Sequence, residues 1–227
     1  GRGSVHTIDP NGTDLATSAS GSLLSGEFHY TFPVWSPDGG SLVFSSFLIV
    51  GNSVVQSALH RADADGNGQI VTIAVDDTSQ SGVGPGVPHF SAWSPDGTHL
   101  AIARSSGAAF NTLSIYSPQD SSEKIIYEGD IRSFWWSPDS SKLAIVEDSP
   151  VIDLAHRWLV LDVGSGEVTP LVTQVLSDEF LFVQVFFDQY TESHRIWSPD
   201  SSRLVVTGAL LDVAAVLQPG GAAELPD

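Results

Sequence analysis

Trp35-Ser36-Pro37-Asp38-Gly39 recurs as Trp93-Ser94-Pro95-Asp96-Gly97, as Trp136-Ser137-Pro138-Asp139-Ser140 and as Trp197-Ser198-Pro199-Asp200-Ser201. The copies stand 58, 43 and 61 residues apart, and a recurrence of this size marks a repeat architecture. Each copy reads as a tight turn. Proline pre-sets φ at the second position, serine suits the first, and aspartate bonds to nearby backbone N–H groups. Glycine in the next position accepts a left-handed backbone, which Ser140 and Ser201 must adopt without that ease.

Working outward, a short apolar strand follows every turn: Leu42–Phe44, Leu100–Ile102, Leu143–Val146 and Leu204–Val206. The tryptophan closes the strand before the turn, where its ring is expected to fill the space between neighbouring sheets. Later in each unit two more strands flank a polar turn, as in Leu113–Tyr116 with Glu123–Tyr127 and Trp158–Asp162 with Val168–Val172. Four strands in about 40 to 45 residues make one propeller blade. The fold class is therefore all-β, a β-propeller of four-stranded antiparallel blades with about four to five blades represented.

The four WSPD cores and their following strands resemble the PD40 repeat, the WD40-like repeat of TolB-type propellers. The resemblance covers nearly the whole chain. The same repeat occurs in the propellers of prolyl-oligopeptidase-type serine peptidases and of some polysaccharide lyases, so it implies a fold more sharply than an activity.

Residues 1–20 match the second half of a blade, with Val5–Ile8, the turn Asp9-Pro10-Asn11-Gly12 and Leu15–Thr17. Blades are expected at 22–77, 88–128, 129–173 and 174–227. The last carries an aromatic insertion, Phe180–Tyr190, whose Phe182 and Phe186 read as core. It continues through Leu204–Thr207 and Ala214–Leu217 and looks cut short. Either the chain is a fragment lacking further blades, which is the preferred reading, or residues 4–19 complete the clipped blade. Methionine is absent, position 1 included, so the chain is expected to derive from a longer product with any leader removed or not included.

Acidic residues outnumber Lys and Arg by 27 to 9, for a formal charge of −18. Such a surface argues against nucleic acid and anionic membrane as partners. The absence of cysteine removes disulfides and thiolate metal sites from consideration. No apolar run approaches the roughly 20 residues of a membrane span.

Four positions before the tryptophan stand Thr31, His89, Arg132 and Ser193, followed by Phe32, Phe90, Ser133 and His194. In a propeller these lie on the innermost strand near one channel mouth. Thr31, His89, Arg132, Ser193 and His194 are the expected ligand- or partner-binding rim. Asp38, Asp96, Asp139 and Asp200 are expected to hold turns rather than to catalyse. Asp63, Asp65 and Asn67 resemble the start of a calcium loop, but Ala74 stands where such a loop needs glutamate. An ordinary turn is expected, with no metal and no cofactor. Gly164-Ser165-Gly166 lacks the spacing of a nucleophile elbow.

The resemblance implies a non-catalytic, monomeric binding propeller of the bacterial envelope, periplasmic or otherwise extracytoplasmic, that docks a protein or peptide. The alternative is the gating propeller of a serine peptidase whose catalytic domain is absent from the chain.

Overall fold

The structure, a computed structural model, describes residues 4–20, 28–50, 53–68, 70–77, 90–105, 110–178, 180 and 195–216. The chain divides into two compact units, Gly1–Tyr127 and Glu128–Asp227. No helix among the described residues is long and apolar enough to cross a membrane.

In the first unit, β1 (Ser4–Thr7) and β2 (Ala16–Ser20) form a two-stranded antiparallel sheet. A four-stranded meander follows: β3 (Phe28–Trp35), β4 (Ser41–Val50), β5 (Ser53–Asp63) and β6 (Val71–Asp77). Next come β7 (Phe90–Trp93), β8 (Leu100–Ser105), β9 (Phe110–Ser117) and the opening of β10 (Ser122–Trp136). Neighbouring sheets are joined by apolar side chains. Val5 and Ala19 of the small sheet pack with Leu42, Phe44 and Ala62 of the first full sheet. Val43, Leu59 and Ala74 on that sheet cluster with Leu100, Ile102 and Tyr116 of the next. Alternation along each strand sends one set of side chains to each face, so a middle sheet feeds two cores.

In the second unit the remainder of β10 pairs with β11 (Lys142–Asp148), then β12 (His156–Asp162) and β13 (Val168–Leu176). Trp158, fully buried, stacks on Trp135 at 5.8 Å, and Phe180 closes on both rings at 5.6 and 5.9 Å. Phe180 is thus core; the rest of the aromatic insertion, Phe182 and Phe186 included, lies outside the described residues.

The repeated turn is the same device four times. In the third copy the Ser137 hydroxyl donates to Asp139 Oδ1 at 2.6 Å and accepts from Lys142 N at 2.9 Å. Ser141 N then donates to the same carboxylate oxygen at 3.1 Å. Ser36, Ser94 and Ser198 repeat the hydroxyl-to-aspartate bond at 2.5, 2.6 and 2.6 Å. The left-handed residue falls where the sequence requires it, with φ of 70° and 72° at Gly39 and Gly97 and of 63° and 58° at Ser140 and Ser201.

Three expectations change. The first tryptophan does not fill an inter-sheet space, since Trp35 is 51% exposed, whereas Trp93 packs on the core and Trp197 is buried. Beside the third turn it is Trp135, one residue before the repeat's own tryptophan, that takes the buried place. The blade expected at 174–227 does not continue as a four-stranded sheet among the described residues. Leu204 makes one isolated bridge to Trp197, and β14 (Gly208–Leu211) pairs with the outer edge of β13. Ala214, Ala215 and Val216 of the expected strand Ala214–Leu217 belong instead to a single helical turn, Val213–Val216. β13 has an open outer edge, and the chain leaving the fourth turn takes it.

Candidate binding site at the end of the third sheet

Of the expected rim residues, His89, Ser193 and His194 lie outside the described residues. Thr31 sits on β3 opposite Ser45. Arg132 is described in full, and the site is built around it.

On β10, Ile131 pairs with Glu147 and Ser133 with Val146, so Arg132 is the extra residue of a bulge. A bulge turns successive side chains toward one face. Arg132 reaches across to the end of β11, donating from Nε to Asp148 Oδ1 at 2.9 Å and from Nη2 to Asp148 Oδ2. This fork fixes both groups in charged form. The hydrogen bonds from Arg132 hold the Asp148 carboxyl below its usual range, and Asp148 in turn raises the guanidinium.

His156, the first residue of β12 and the partner of Asp148 across the strands, brings Nε2 to 3.5 Å from Asp148 Oδ1. Burial lowers its pKa from the ordinary histidine value; the Asp148 charge opposes that shift and Arg132 adds to it. Gln174, opposite His156 on β13, is fully buried and donates from Nε2 to Thr207 O at 3.2 Å. Among the described residues, three buried polar atoms here have no hydrogen-bond partner: Ser133 Oγ, His156 Nδ1 and Gln174 Oε1. Buried polar atoms are nearly always satisfied, so such a group marks a place where a ligand or ordered water belongs. On the opposite face, Arg157 donates from Nε to the buried Glu147 at 2.7 Å, a pair that braces the same strand end.

The sequence reading named Arg132 by its place in the repeat and did not name Asp148, His156 or Gln174. Their signal is positional: they bracket the β11–β12 connection and the strand beside it, and only the register brings them level.

The aspartates of the turns are engaged as the sequence predicts. Hydrogen bonds from Ser137 and Ser198 hold the Asp139 and Asp200 carboxyls at about 2. The calcium-like stretch is also a turn. Asp65 accepts from Asn67 N at 2.9 Å, and the Ala64 carbonyl accepts from Thr7 and Ser18 hydroxyls at 2.8 and 3.3 Å.

No protein-family model matches the chain, and no curated protein matches it. Among solved structures it is similar to a protein assigned as TolB, from Agrobacterium tumefaciens, at 20% identity and TM-score 0.43, over 74% of this chain and 64% of that one. The β-propeller domain of the Trilobed protease from Pyrococcus furiosus is 19% identical with TM-score 0.43, over 63% and 41%. An oligogalacturonate lyase from Vibrio parahaemolyticus is 14% identical with TM-score 0.45, over 75% and 47%. In each case the chain spans less than two thirds of the other's length. Among the described residues the chain is nearly all β, and its fold is that of an incomplete β-propeller.

Proposed function

We propose that this propeller is a non-catalytic binding module of an extracytoplasmic, bacterial protein, and that it docks a protein or peptide partner at the strand ends around Arg132. The observation that carries the reading is the row Asp148–His156–Gln174, level across three strands, with Arg132 reaching Asp148 from the bulge on β10 and buried polar atoms that have no partner among the described residues. Such a row offers both donors and acceptors to an extended backbone, whose N–H and C=O groups alternate in the same way. Nucleic acid and anionic membrane are disfavoured by the charge of −18.

The test is a peptide array probed with the purified chain, followed by titration of the best binder. Arg132→Ala and His156→Ala should each weaken binding by about tenfold or more while the circular-dichroism spectrum is unchanged. Unchanged affinity in both variants would remove the site from consideration. Covalent labelling of the chain by a serine-directed fluorophosphonate would overturn the non-catalytic reading.

A further inference from the structure

The connection between β11 and β12, residues 149–155, leaves the sheet beside Arg132. Asp148 is the last residue of β11 and His156 the first of β12. The loop is closed by its own hydrogen bonds. Ser149 N donates to Ala155 O at 2.9 Å across the base, where Ala155 is buried. The Ser149 hydroxyl accepts from Val151 N and Ile152 N at 3.4 and 3.2 Å. Ala155 N donates to Ile152 O at 3.2 Å, which makes residues 152–155 a tight turn.

Leu154, third in that turn, has φ of 62°. A left-handed third position takes glycine or asparagine, because an ordinary Cβ crowds the following carbonyl. Among the described residues the other non-glycine residues with positive φ are Asp14, Ser121, Ser140 and Ser201, all small and polar. Leu154 is the bulky, apolar exception. It is also 87% exposed, and Val151 in the same loop is 54% exposed. The leucine side chain therefore gains little from burial within the chain, while its backbone favours a different residue. A strained residue held by an otherwise well-bonded loop points to a function for its side chain.

The surroundings say what would cover it. Arg132 and Asp148 neutralise each other through their fork. Two further carboxylates are exposed here: Asp130, whose charge acts on Arg132, and Asp153, which precedes Leu154 in the turn. The balance is negative, on a chain of formal charge −18. That selects a cationic partner over a second copy of the chain, which would bring the same carboxylates to the same place.

We propose that Leu154 is the apolar anchor of the binding site. Its partner is a basic peptide segment of another protein, whose apolar side chain covers Leu154 and Val151 while its lysines or arginines face Asp130 and Asp153. This rests on the binding reading above and gives the partner its chemistry. The loop's bonds are already made before the partner arrives, so little ordering opposes the contact. Leucine at this position favours binding over stability.

The probe is a labelled peptide in which lysine and leucine recur between glycines, titrated by fluorescence anisotropy. Counterparts with glutamate for lysine, or with serine for leucine, should bind about tenfold more weakly or worse. Leu154→Asn accepts the left-handed backbone and removes the apolar contact. It should unfold at the same temperature as the parent chain or higher, yet lose about tenfold or more in affinity. Leu154→Met keeps an apolar side chain and should bind as the parent does.

Equal affinity of the parent and Leu154→Asn chains for the lysine–leucine peptide would overturn the anchor. If Arg132→Ala still weakened that binding, the site itself would stand. Preference for the glutamate peptide, or no binding of the lysine–leucine peptide, would overturn the basic partner whatever a peptide array finds. A dimer in sedimentation that Leu154→Asn converts to monomer would also overturn the proposal, by giving Leu154 to a second copy.

Discussion

The third and fourth copies of the repeat have the same turn and different sequels. After Ser137-Pro138-Asp139-Ser140 the chain runs through β11, β12 and β13 and buries Trp158 against Trp135 of β10. After Ser198-Pro199-Asp200-Ser201 it makes one bridge and then joins β14 to the edge of β13. The turns are alike because the bonds that shape each one, from serine hydroxyl to aspartate and from the backbone N–H groups that follow, span five residues or fewer. The sequels differ in what pairs with the strand after the turn: β12 lies along β11, whereas Leu204 has, among the described residues, its bridge to Trp197. The same contrast separates His60, sealed inside a full sheet, from His6, exposed on a half sheet. A repeat carries its own turn chemistry but borrows its stability from its neighbours.

The sharpest way to break the contrast is in the aromatic core. Trp158→Ala should cost about 3 to 5 kcal/mol in urea unfolding, because removing a fully buried indole that stacks on Trp135 and meets Phe180 at a tilt leaves a cavity. Trp197 donates from Nε1 to Trp135 O at 3.1 Å, so Trp197→Ala should be damaging but less so. Trp35→Ala, at 51% exposure, should cost about 1 kcal/mol or less. A Trp35→Ala variant as unstable as Trp158→Ala would contradict the burial order.

Acid separates the full sheet from the half sheet. Burial depresses the His60 pKa from 6.5 to about 4. The unfolded chain therefore binds a proton near pH 6.5 that the folded chain takes up only near pH 4. Stability contributed by neutral His60 is complete above pH 6.5 and is lost as pH falls toward 4, by about 3 kcal/mol at most. Guanidinium unfolding at pH 7 and pH 4.5 should show the loss, and His60→Gln should reduce it.

The edge attachment is tested at Gly208, which has φ of 137° and where an added Cβ would lie 2.2 Å from the Val175 carbonyl. Gly208→Ala should detach β14 at a cost of about 1 to 3 kcal/mol and speed amide exchange at Ala209–Leu211. Unaltered exchange there would mean that the attachment does not depend on this close approach.

The smallest effect distinguishes the two serine turns. Ser140→Gly should stabilise by roughly 0.5 kcal/mol by relieving a left-handed backbone. Ser201→Gly should gain less or nothing, because the Ser201 hydroxyl accepts from Asp139 N at 3.1 Å and that bond would be lost.

Much of this was legible in the chain. Proline, aspartate and glycine spaced as they are can form one kind of turn, and the apolar strands after them can form only a half-buried sheet. Of the candidate site, Arg132 was named from its place in the repeat, while Asp148, His156 and Gln174 come from three other strands and meet only through register. His89, Ser193 and His194 lie outside the described residues.

By itself the sequence determined the repeated turn, the left-handed residue in each and the antiparallel meander, because these depend on torsions and hydrogen bonds within a few residues. Tertiary structure decided which tryptophan is buried, which carboxylate Arg132 meets and which edge Gly208–Leu211 occupies. Those outcomes depend on what packs alongside, and a strand edge is satisfied by any backbone that reaches it in register.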